Sequence, residues 1–242
     1  MISIPWLAER PVAHRGLHDL NRKCWENTLS AFREAVRHDY SIECDVHLSS
    51  DGIPVVFHDD ELKRLTGREG RPCDHTVAEL TAMKVGTSDD HVPTLAQMLD
   101  AVAGKVPLVI ELKGTEGKDE NLVAKVAALL ANYKGKAAIM SFDHWLIREF
   151  PTQAPGIPAG LTALGQTDKD IEGHFAMLAY DLSFVSYCLA DMPNRFVSLV
   201  RERLSMPVIS WTVRDQAAAD LTFEYADQMT FEGFDPREKP IL

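Results

Sequence analysis

Short apolar runs alternate along this chain with segments whose apolar residues recur at helical spacing. The runs typical of strands lie at 11–14, 41–47, 107–113, 137–143, 157–163, 182–187, 207–213 and 227–232. Amphipathic helices are predicted between them at 26–38, 94–103, 119–133, 144–150, 168–178, 193–204 and 215–225. Strands that alternate with helices in this way predict an α/β protein of the (β/α)₈ barrel type. A doubly wound open sheet is the alternative, but no glycine-rich turn follows the first strand.

The connection after the second strand is longer than the others. About sixty residues separate Asp45 from Leu108, which exceeds one helix and two loops. Residues 54–58 have the pattern of a short extra strand, and residues 59–91 then read as a polar insertion between strands 2 and 3. Long loops that follow barrel strands lie at the carboxyl-terminal face, where barrel enzymes carry their chemistry. No linker or low-complexity segment interrupts the chain, so residues 1–242 are predicted to form one domain.

Charged residues occur inside two of the apolar strands. Glu43 and Asp45 are two positions apart and therefore share one face of their strand. Glu111 and Lys113 share a face of the next barrel strand in the same way. Neighbouring carboxylates repel each other unless a positive charge lies between them, and Mg²⁺ and Ca²⁺ prefer oxygen ligands. The three acids predict a site for one such cation, although solvated acids with a salt bridge to Lys113 are the simpler interpretation.

The overall charge and the cysteines limit the class of protein. A formal net charge of −11 over 242 residues argues against a nucleic-acid partner, since phosphates favour a basic surface. No apolar run approaches the length of about 18 residues that a membrane helix needs. The amino terminus lacks the pattern of a signal peptide, and the cysteines show no zinc-like spacing, which together predict a cytoplasmic protein. The oligomeric state stays open.

Two histidines follow predicted strands and are candidates for proton transfer. His14 precedes Arg15 and a glycine at the end of the first strand, and His58 ends the extra strand. Arginine binds phosphate through its planar fork, and glycine permits a close approach of the backbone. Taken alone, each motif is more typical of an ordinary loop. Trp211 and Phe142 end later strands, where each can wall a ligand pocket or belong to the core.

The order of the short motifs is more specific than any one of them. The motifs are HRG (14–16), ENT (26–28), ECD (43–45), DG-PVV-HD (51–59), PTL (93–95), ELK (111–113), SFD (141–143) and WTV (211–213). In order and approximate spacing they resemble the glycerophosphodiester phosphodiesterase family over most of the chain. The resemblance implies a (β/α)₈ barrel that hydrolyses glycerophosphodiesters to glycerol 3-phosphate and an alcohol with a divalent metal.

The resemblance also implies roles for particular residues. The metal ligands would be Glu43, Asp45 and Glu111; the acid/base pair would be His14 and His58; and the phosphate would be held by Arg15 and Lys113. Apart from the resemblance, the place of Trp211 at the end of its strand makes it a candidate to contact the substrate at the alcohol side. We assign His58 as the general acid and His14 as the general base. Charge neutralisation at the phosphate and two proton transfers are what phosphodiester hydrolysis requires. Direct attack by water and a cyclic phosphate intermediate both remain open.

The last strand departs from the family pattern. Residues 227–234 read DQMTFEGF in place of a Gly-Ile-Ile-Thr-Asp-like ending. We expect this segment to alter substrate preference without contact to the metal or histidine positions. The alternatives for function are a related barrel acting on a sugar phosphodiester or a lysophospholipid, a non-catalytic phosphate-binding barrel, and a metal-free phosphoinositide-cleaving barrel. The polar insertion favours a small soluble substrate over a lysophospholipid.

Overall fold

A closed barrel of eight parallel strands forms the centre of the protein in a computed structural model that describes residues 2–237. The barrel strands are β1 (Val12–Ala13), β2 (Ser41–Leu48), β4 (Leu108–Leu112), β5 (Ala137–Ser141), β6 (Ala159–Ala163), β7 (Phe184–Cys188), β8 (Val208–Val213) and β9 (Gln228–Phe231). The first strand pairs with both β2 and β9, which closes the barrel. The predicted fold class is confirmed. The ends of the predicted domain, residue 1 and residues 238–242, lie outside the described part of the chain.

The segment between β2 and β4 adds structure outside the barrel. The predicted extra strand is β3 (Pro54–Val56), and it pairs antiparallel with β2. Two short helices follow, α2 (Lys63–Thr66) and α3 (Val77–Thr81). The interior of the insertion is less polar than its composition indicates, because it folds over a small apolar core with β3. The buried members of that core are Val55, Phe57, Leu62, Leu65, Leu80, Val85 and Val92.

The remaining helices follow the predicted order. They are α1 (Leu29–Arg37), α4 (Leu95–Val102), α5 (Leu122–Leu130), α6 (His144–Gln153), α7 (Asp168–Met177), α8 (Arg195–Glu202) and α9 (Gln216–Tyr225). The first one begins at Leu29, not at residue 26, because the Thr28 side chain caps it by accepting a hydrogen bond from the Ala31 N–H. Asn27 has a left-handed backbone (φ 55°), which no helical residue adopts. None of the helices between residues 2 and 237 has the length and apolarity to cross a bilayer.

The two faces of the barrel strands have different partners. On β2, Ile42, Cys44 and Val46 pack with the helices in the main core, whereas the carboxylates of Glu43 and Asp45 belong to a cluster inside the barrel. A separate apolar cluster contains the inward-facing residues of several strands and the amino-terminal segment; its members are Ile4, Trp6, Leu7, Val12, Val109, Ala138, Met140, Phe184 and Ile209. The polar inward positions therefore lie near the carboxyl ends of the strands, where loops surround them.

Candidate active site

A cavity of about 210 Å³ opens at the carboxyl ends of the barrel strands. All eight residues predicted for the site line it, namely His14, Arg15, Glu43, Asp45, His58, Glu111, Lys113 and Trp211. A larger cavity, of about 490 Å³, is lined by Ile2, Pro5, Arg201 and their neighbours and contains none of the eight. The smaller cavity is the one that carries titratable groups in a pattern suited to chemistry.

Three buried carboxylates converge on one side of the cavity. Asp45 and Glu111 are direct partners in the register of β2 and β4, and Glu43 lies two residues earlier on the same face of β2. One carboxylate oxygen from each of Glu43, Asp45 and Glu111 lies within 4.8 Å of the others. Hard divalent ions take oxygen ligands at about 2–2.6 Å, so three carboxylate oxygens this close together could hold one ion between them. The donor set therefore fits Mg²⁺ or Ca²⁺.

The charges of the three acids are strongly coupled. Burial, together with the charges of Asp45 and Glu111, raises the pKa of Glu43 well above its usual value. Burial also raises the pKa of Glu111. For Asp45 burial acts in the same direction, but the nearby positive charges of Lys113, His58 and Arg15 outweigh it and lower the pKa. Ionisation of all three acids together is therefore unfavourable in this buried place, and a bound divalent ion would offset that cost.

Lys113 makes the salt bridge that the simpler interpretation of the acids predicts. Its Nζ lies 3.2 Å from Asp45 Oδ1 and also contacts Glu111 Oε1. Glu43 has a different partner, since its Oε2 accepts a hydrogen bond of 2.9 Å from the backbone N–H of Arg15. Lys113 therefore pairs with two of the three carboxylates, and the convergence of all three is not accounted for by that salt bridge alone.

The backbone at Arg15 and Gly16 is shaped to reach the site. Arg15 has a left-handed conformation (φ 54°), an uncommon one for a residue with a side chain. Its guanidinium donates to Glu26 Oε1 at 2.7 Å, and its Nε lies 3.5 Å from Asp45 Oδ2. At Gly16 a Cβ would lie 2.9 Å from the backbone of Ala31, and φ is +80°, so only glycine fits.

Arg64 of the insertion joins two acids at the edge of the cavity. Its guanidinium donates to Glu26 at 2.9 and 2.7 Å and to Asp59 at 2.6 and 2.7 Å. Burial acts to raise the pKa of Glu26, but hydrogen bonds from Arg64 and the charge of Arg15 lower it to about 2. Glu26, the first residue of the ENT motif, supports the site through these cations. Nothing in the sequence singled out Arg64.

His58 is held from the same side. Its Nδ1 lies 2.7 Å from Asp59 Oδ1, so that Nε2 is left for the cavity. Asp59 is itself held by Arg64, which connects the histidine to Glu26 and hence to Arg15. The predicted acid and the predicted phosphate clamp are therefore connected by one chain of ion pairs that passes through the insertion.

His14 pairs with a residue of the atypical last segment. Its Nδ1 lies 2.5 Å from Glu232 Oε2, and Arg214 Nε donates to Glu232 Oε1 at 2.8 Å. The expectation that residues 227–234 lie away from the histidine positions is therefore wrong, because β9 neighbours β1 in the closed barrel. Burial lowers the pKa of His14, and the hydrogen bond to Glu232 opposes that effect. An acid that follows the strand next to a candidate histidine was the signal that sequence reasoning missed.

Two aromatic rings form part of the opposite wall. Trp211 and Phe142 meet edge to face, with ring centroids 5.4 Å apart, and both line the cavity. Lys113 Nζ lies 5.7 Å from the centroid of the Phe142 ring. Of the two possibilities for these aromatics, pocket wall or core, the structure therefore favours the wall.

Comparisons with known proteins agree with this geometry. The glycerophosphodiester phosphodiesterase of Caldanaerobacter subterraneus is 32% identical over 162 residues, which cover 62% of this chain and 65% of that protein. A Bacillus subtilis protein described as a putative glycerophosphodiester phosphodiesterase is 28% identical over 86% of this chain and 87% of its own. The aligned region thus spans slightly less than two thirds of the first relative and most of the second.

Solved structures and a family profile extend the comparison. An Oleispira antarctica phosphodiesterase, solved in complex with the product sn-glycerol-3-phosphate, has a TM-score of 0.80 at 24% identity and covers 93% of both chains. The glycerophosphodiester phosphodiesterase of Thermotoga maritima has a TM-score of 0.71 at 25% identity, over 92% of this chain and 94% of that one. The profile of the glycerophosphoryl diester phosphodiesterase family matches residues 14–233. The chain therefore belongs to the glycerophosphoryl diester phosphodiesterase family, a family of phosphoric diester hydrolases.

Proposed function

We propose that this protein hydrolyses glycerophosphodiesters to glycerol 3-phosphate and an alcohol with one divalent cation, Mg²⁺ or Ca²⁺, bound by Glu43, Asp45 and Glu111. The observation that carries the proposal is the convergence of these three buried carboxylates within 4.8 Å of one another, in a cavity that two histidines also line. The Oleispira relative binds sn-glycerol-3-phosphate, and a product of the same kind suits this cavity of about 210 Å³.

Charge neutralisation at the phosphate is the first requirement of the reaction, because the diester anion repels nucleophiles. A divalent cation bound by the carboxylates supplies Lewis-acid charge for the non-bridging oxygens. Arg15 and Lys113 hold the phosphate in this proposal, and both line the same cavity as the acids. Arg15 pairs with Glu26, and Lys113 pairs with Asp45 and Glu111, so both cationic groups lie beside the proposed ligands of the cation.

The two histidines divide the proton transfers in this proposal. His14 acts as the base that takes the proton of the attacking oxygen, since a lowered pKa keeps its imidazole neutral near pH 7. Its hydrogen bond to Glu232 fixes the ring and leaves Nε2 for the reacting oxygen. His58 acts as the acid that protonates the leaving alkoxide, with its ring held by Asp59. Each such group is typically worth about 10²–10⁴-fold in rate.

The proposed substrate is a small molecule in aqueous solution. None of the large apolar side chains of residues 59–91, all of which the structure describes, is exposed, so the insertion offers no apolar rim for an acyl chain. The net charge of −11 disfavours a nucleic-acid partner. We treat residues 1–242 as one catalytic domain and place it in the cytoplasm, in keeping with the scattered cysteines. A lysophospholipid or a sugar phosphodiester is the alternative substrate.

A panel of phosphodiesters assayed with and without EDTA tests the proposal. Glycerophosphocholine, glycerophosphoethanolamine, glycerophosphoglycerol, a lysophospholipid and a sugar phosphodiester are incubated with the enzyme, and released glycerol 3-phosphate is measured. We expect release from the glycerophosphodiesters that EDTA abolishes and added Mg²⁺ or Ca²⁺ restores. Full activity in EDTA would contradict the role of the cation, and hydrolysis of the lysophospholipid or sugar diester alone would contradict the substrate.

A further inference from the structure

Four polar atoms on the wall of the cavity opposite the carboxylates have no hydrogen-bond partner among residues 2–237, the described part of the chain. They are Thr162 Oγ1, Ser186 Oγ, Trp211 Nε1 and Thr230 Oγ1, and all four residues line the cavity. The three hydroxyl residues are almost fully buried, with exposed fractions of 3% for Thr162, 1% for Ser186 and 2% for Thr230. A buried polar group without a partner is costly to the fold, so a cluster of them requires an explanation.

These atoms come from four neighbouring strands of the barrel. Thr162 on β6 and Ser186 on β7 are direct partners in the strand register, and Trp211 and Thr230 lie on β8 and β9, the next strands in the order. The carboxylates belong to β2 and β4, on the other side of the barrel. The cavity therefore has an anionic half, suited to a cation and a phosphate, and a neutral half of hydroxyls and one indole N–H. We call the second half the hydroxyl arc.

Buried strand hydroxyls outside the cavity are mostly paired within the protein. Ser210 Oγ lies 2.8 Å from Thr222 Oγ1, and Ser141 Oγ donates to the Leu112 carbonyl at 2.7 Å. Ser41 Oγ, at the start of β2, has no partner within the described residues, but it is an isolated case and does not line the cavity. The hydroxyl arc differs because its atoms form a group on adjacent strands and belong to residues that line the cavity.

We propose that the hydroxyl arc is the subsite that recognises the vicinal hydroxyls of a polyol, the glycerol unit of the substrate, and that it makes Thr162, Ser186 and Thr230 specificity-determining residues. This inference rests on the proposed function, since it places the phosphate at the anionic half. Each threonine or serine hydroxyl both donates and accepts, as does each hydroxyl of a diol. A quaternary ammonium or an alkyl chain leaves the arc unsatisfied. The released alcohol therefore lies toward the open mouth of the cavity, where selection is weak. Trp211 then contacts the glycerol unit and not the alcohol, contrary to the expectation from the sequence.

Binding of two phosphate monoesters separates the hydroxyl arc from the rest of the site. Glycerol 3-phosphate and methyl phosphate are titrated into the whole protein with Mg²⁺ present, and the ratio of their dissociation constants is the readout. We expect the wild type to prefer glycerol 3-phosphate by about 10-fold or more, since neutral hydrogen bonds each contribute a few-fold. Thr162→Val, Ser186→Ala and Thr230→Val should each reduce that preference by about 3- to 10-fold and leave methyl phosphate binding unchanged.

Two further variants exclude a purely structural effect. Ser41→Ala removes a buried hydroxyl that lacks a partner and does not line the cavity, so it should leave both dissociation constants unchanged. Thr162→Ser keeps the hydroxyl and should restore most of the preference that Thr162→Val loses. The melting temperature of Thr162→Val should equal or exceed that of the wild type, because the lost hydroxyl bonds nothing in the free protein.

Turnover assays distinguish failure of this inference from failure of the proposed function. Glycerol p-nitrophenyl phosphate and methyl p-nitrophenyl phosphate should differ in kcat/KM for the wild type and converge in the three variants of the arc. Two results would overturn the role of the hydroxyl arc and leave the proposed function standing. One is hydrolysis of both diesters by the wild type with no preference, and the other is a binding preference for glycerol 3-phosphate that survives in all three variants. If neither diester is hydrolysed, the proposed function is overturned. The ratio of the two dissociation constants then still tests whether the hydroxyl arc binds the glycerol unit.

Discussion

His14 and His58 reach the cavity from different elements and are held by different acids. Glu232, beyond the last strand, holds His14, whereas Asp59, the next residue in the chain, holds His58. In both cases the contact is made through Nδ1, so Nε2 is the nitrogen available to substrate. A free Nε2 on each ring is what the proposed proton transfers require.

Replacement of either histidine by alanine should lower kcat by about 10²–10⁴-fold without loss of fold. The two act on one reaction coordinate, so the double variant should be far less impaired than the product of the single effects. A p-nitrophenolate leaving group needs little protonation and should rescue His58→Ala but not His14→Ala. Rescue of the other variant would exchange the two roles, and near-wild-type turnover in either variant would remove that histidine from the mechanism.

Glu232→Gln should reduce kcat while it shifts the acid limb of the pH profile. The carboxylate raises the pKa of His14 against the effect of burial, so its removal lowers that pKa further and moves the acid limb to lower pH. We expect a loss in kcat of about 10–100-fold, the usual effect of removing an orienting partner. Glu224→Gln, which changes an exposed acid on α9, is the matched control and should alter neither kcat nor the profile.

An acid limb that stays in place in Glu232→Gln would contradict the coupling of Glu232 to His14. A fall in kcat without the shift would leave Glu232 with a packing role only. The profile is measured as kcat and kcat/KM between about pH 4 and pH 9 with saturating cation, because the free enzyme and the substrate complex report separate pKa values.

Single residues also show how far sequence reasoning extends. The alternation of side chains in a strand predicted that Glu43 and Asp45 share a face, and the barrel places them in one cavity with Glu111. Glu232 and Arg64 were not found, since their contacts depend on which loops meet at the mouth of the closed barrel. Periodicity carries information about faces, and it carries none about which loop side chains meet.

At the scale of elements, the insertion after β3 is part of the site's support. Its helices cover a small apolar core with β3, and Arg64 at α2 reaches Glu26 and Asp59. The composition of residues 59–91 predicted a polar insertion. Its leucines are spaced too irregularly to predict the two short helices. Similarly, the start of α1 was placed three residues early, since the left-handed Asn27 is not visible in a hydrophobic pattern.

Arg64→Ala should lower kcat/KM by about 10–100-fold, although Arg64 lies outside the cavity lining. Without the guanidinium, Asp59 no longer has its second partner and holds His58 less firmly. A p-nitrophenyl diester should therefore recover part of the loss, as it does for His58→Ala. Arg68→Ala, which changes an exposed arginine of the same segment, is the matched control and should retain full activity. Equal losses with natural and p-nitrophenyl substrates would assign the effect to Arg15 and not to His58.

At the scale of the whole molecule, the charge of Glu43 opposes stability when no cation is bound. Burial and the charges of Asp45 and Glu111 raise the pKa of Glu43, so the folded state binds its proton more tightly than the unfolded state does. Such a group stabilises the folded state fully at pH values below its pKa in the unfolded chain. That stabilisation is lost as the pH rises through its pKa in the folded protein. In EDTA the wild type should therefore lose stability relative to Glu43→Gln as pH rises above the usual value of 4.5.

Addition of Mg²⁺ or Ca²⁺ should reverse that order. A cation at about 100 times its dissociation constant stabilises the folded state by about 2.7 kcal/mol, and for a chain of this size each kcal/mol raises the melting temperature by about 2–4 °C. The wild type should gain this increment and Glu43→Gln should not, while Glu202→Gln, which changes an exposed acid on α8, should follow the wild type. The prediction fails if, in EDTA, the stability of the wild type and of Glu43→Gln changes with pH in parallel, and if the cation raises both melting temperatures equally. Glu43 would then be neither destabilised by the neighbouring charges nor a ligand of the cation. The two measurements are independent of turnover, so they test the cation site even if the assigned substrate is wrong.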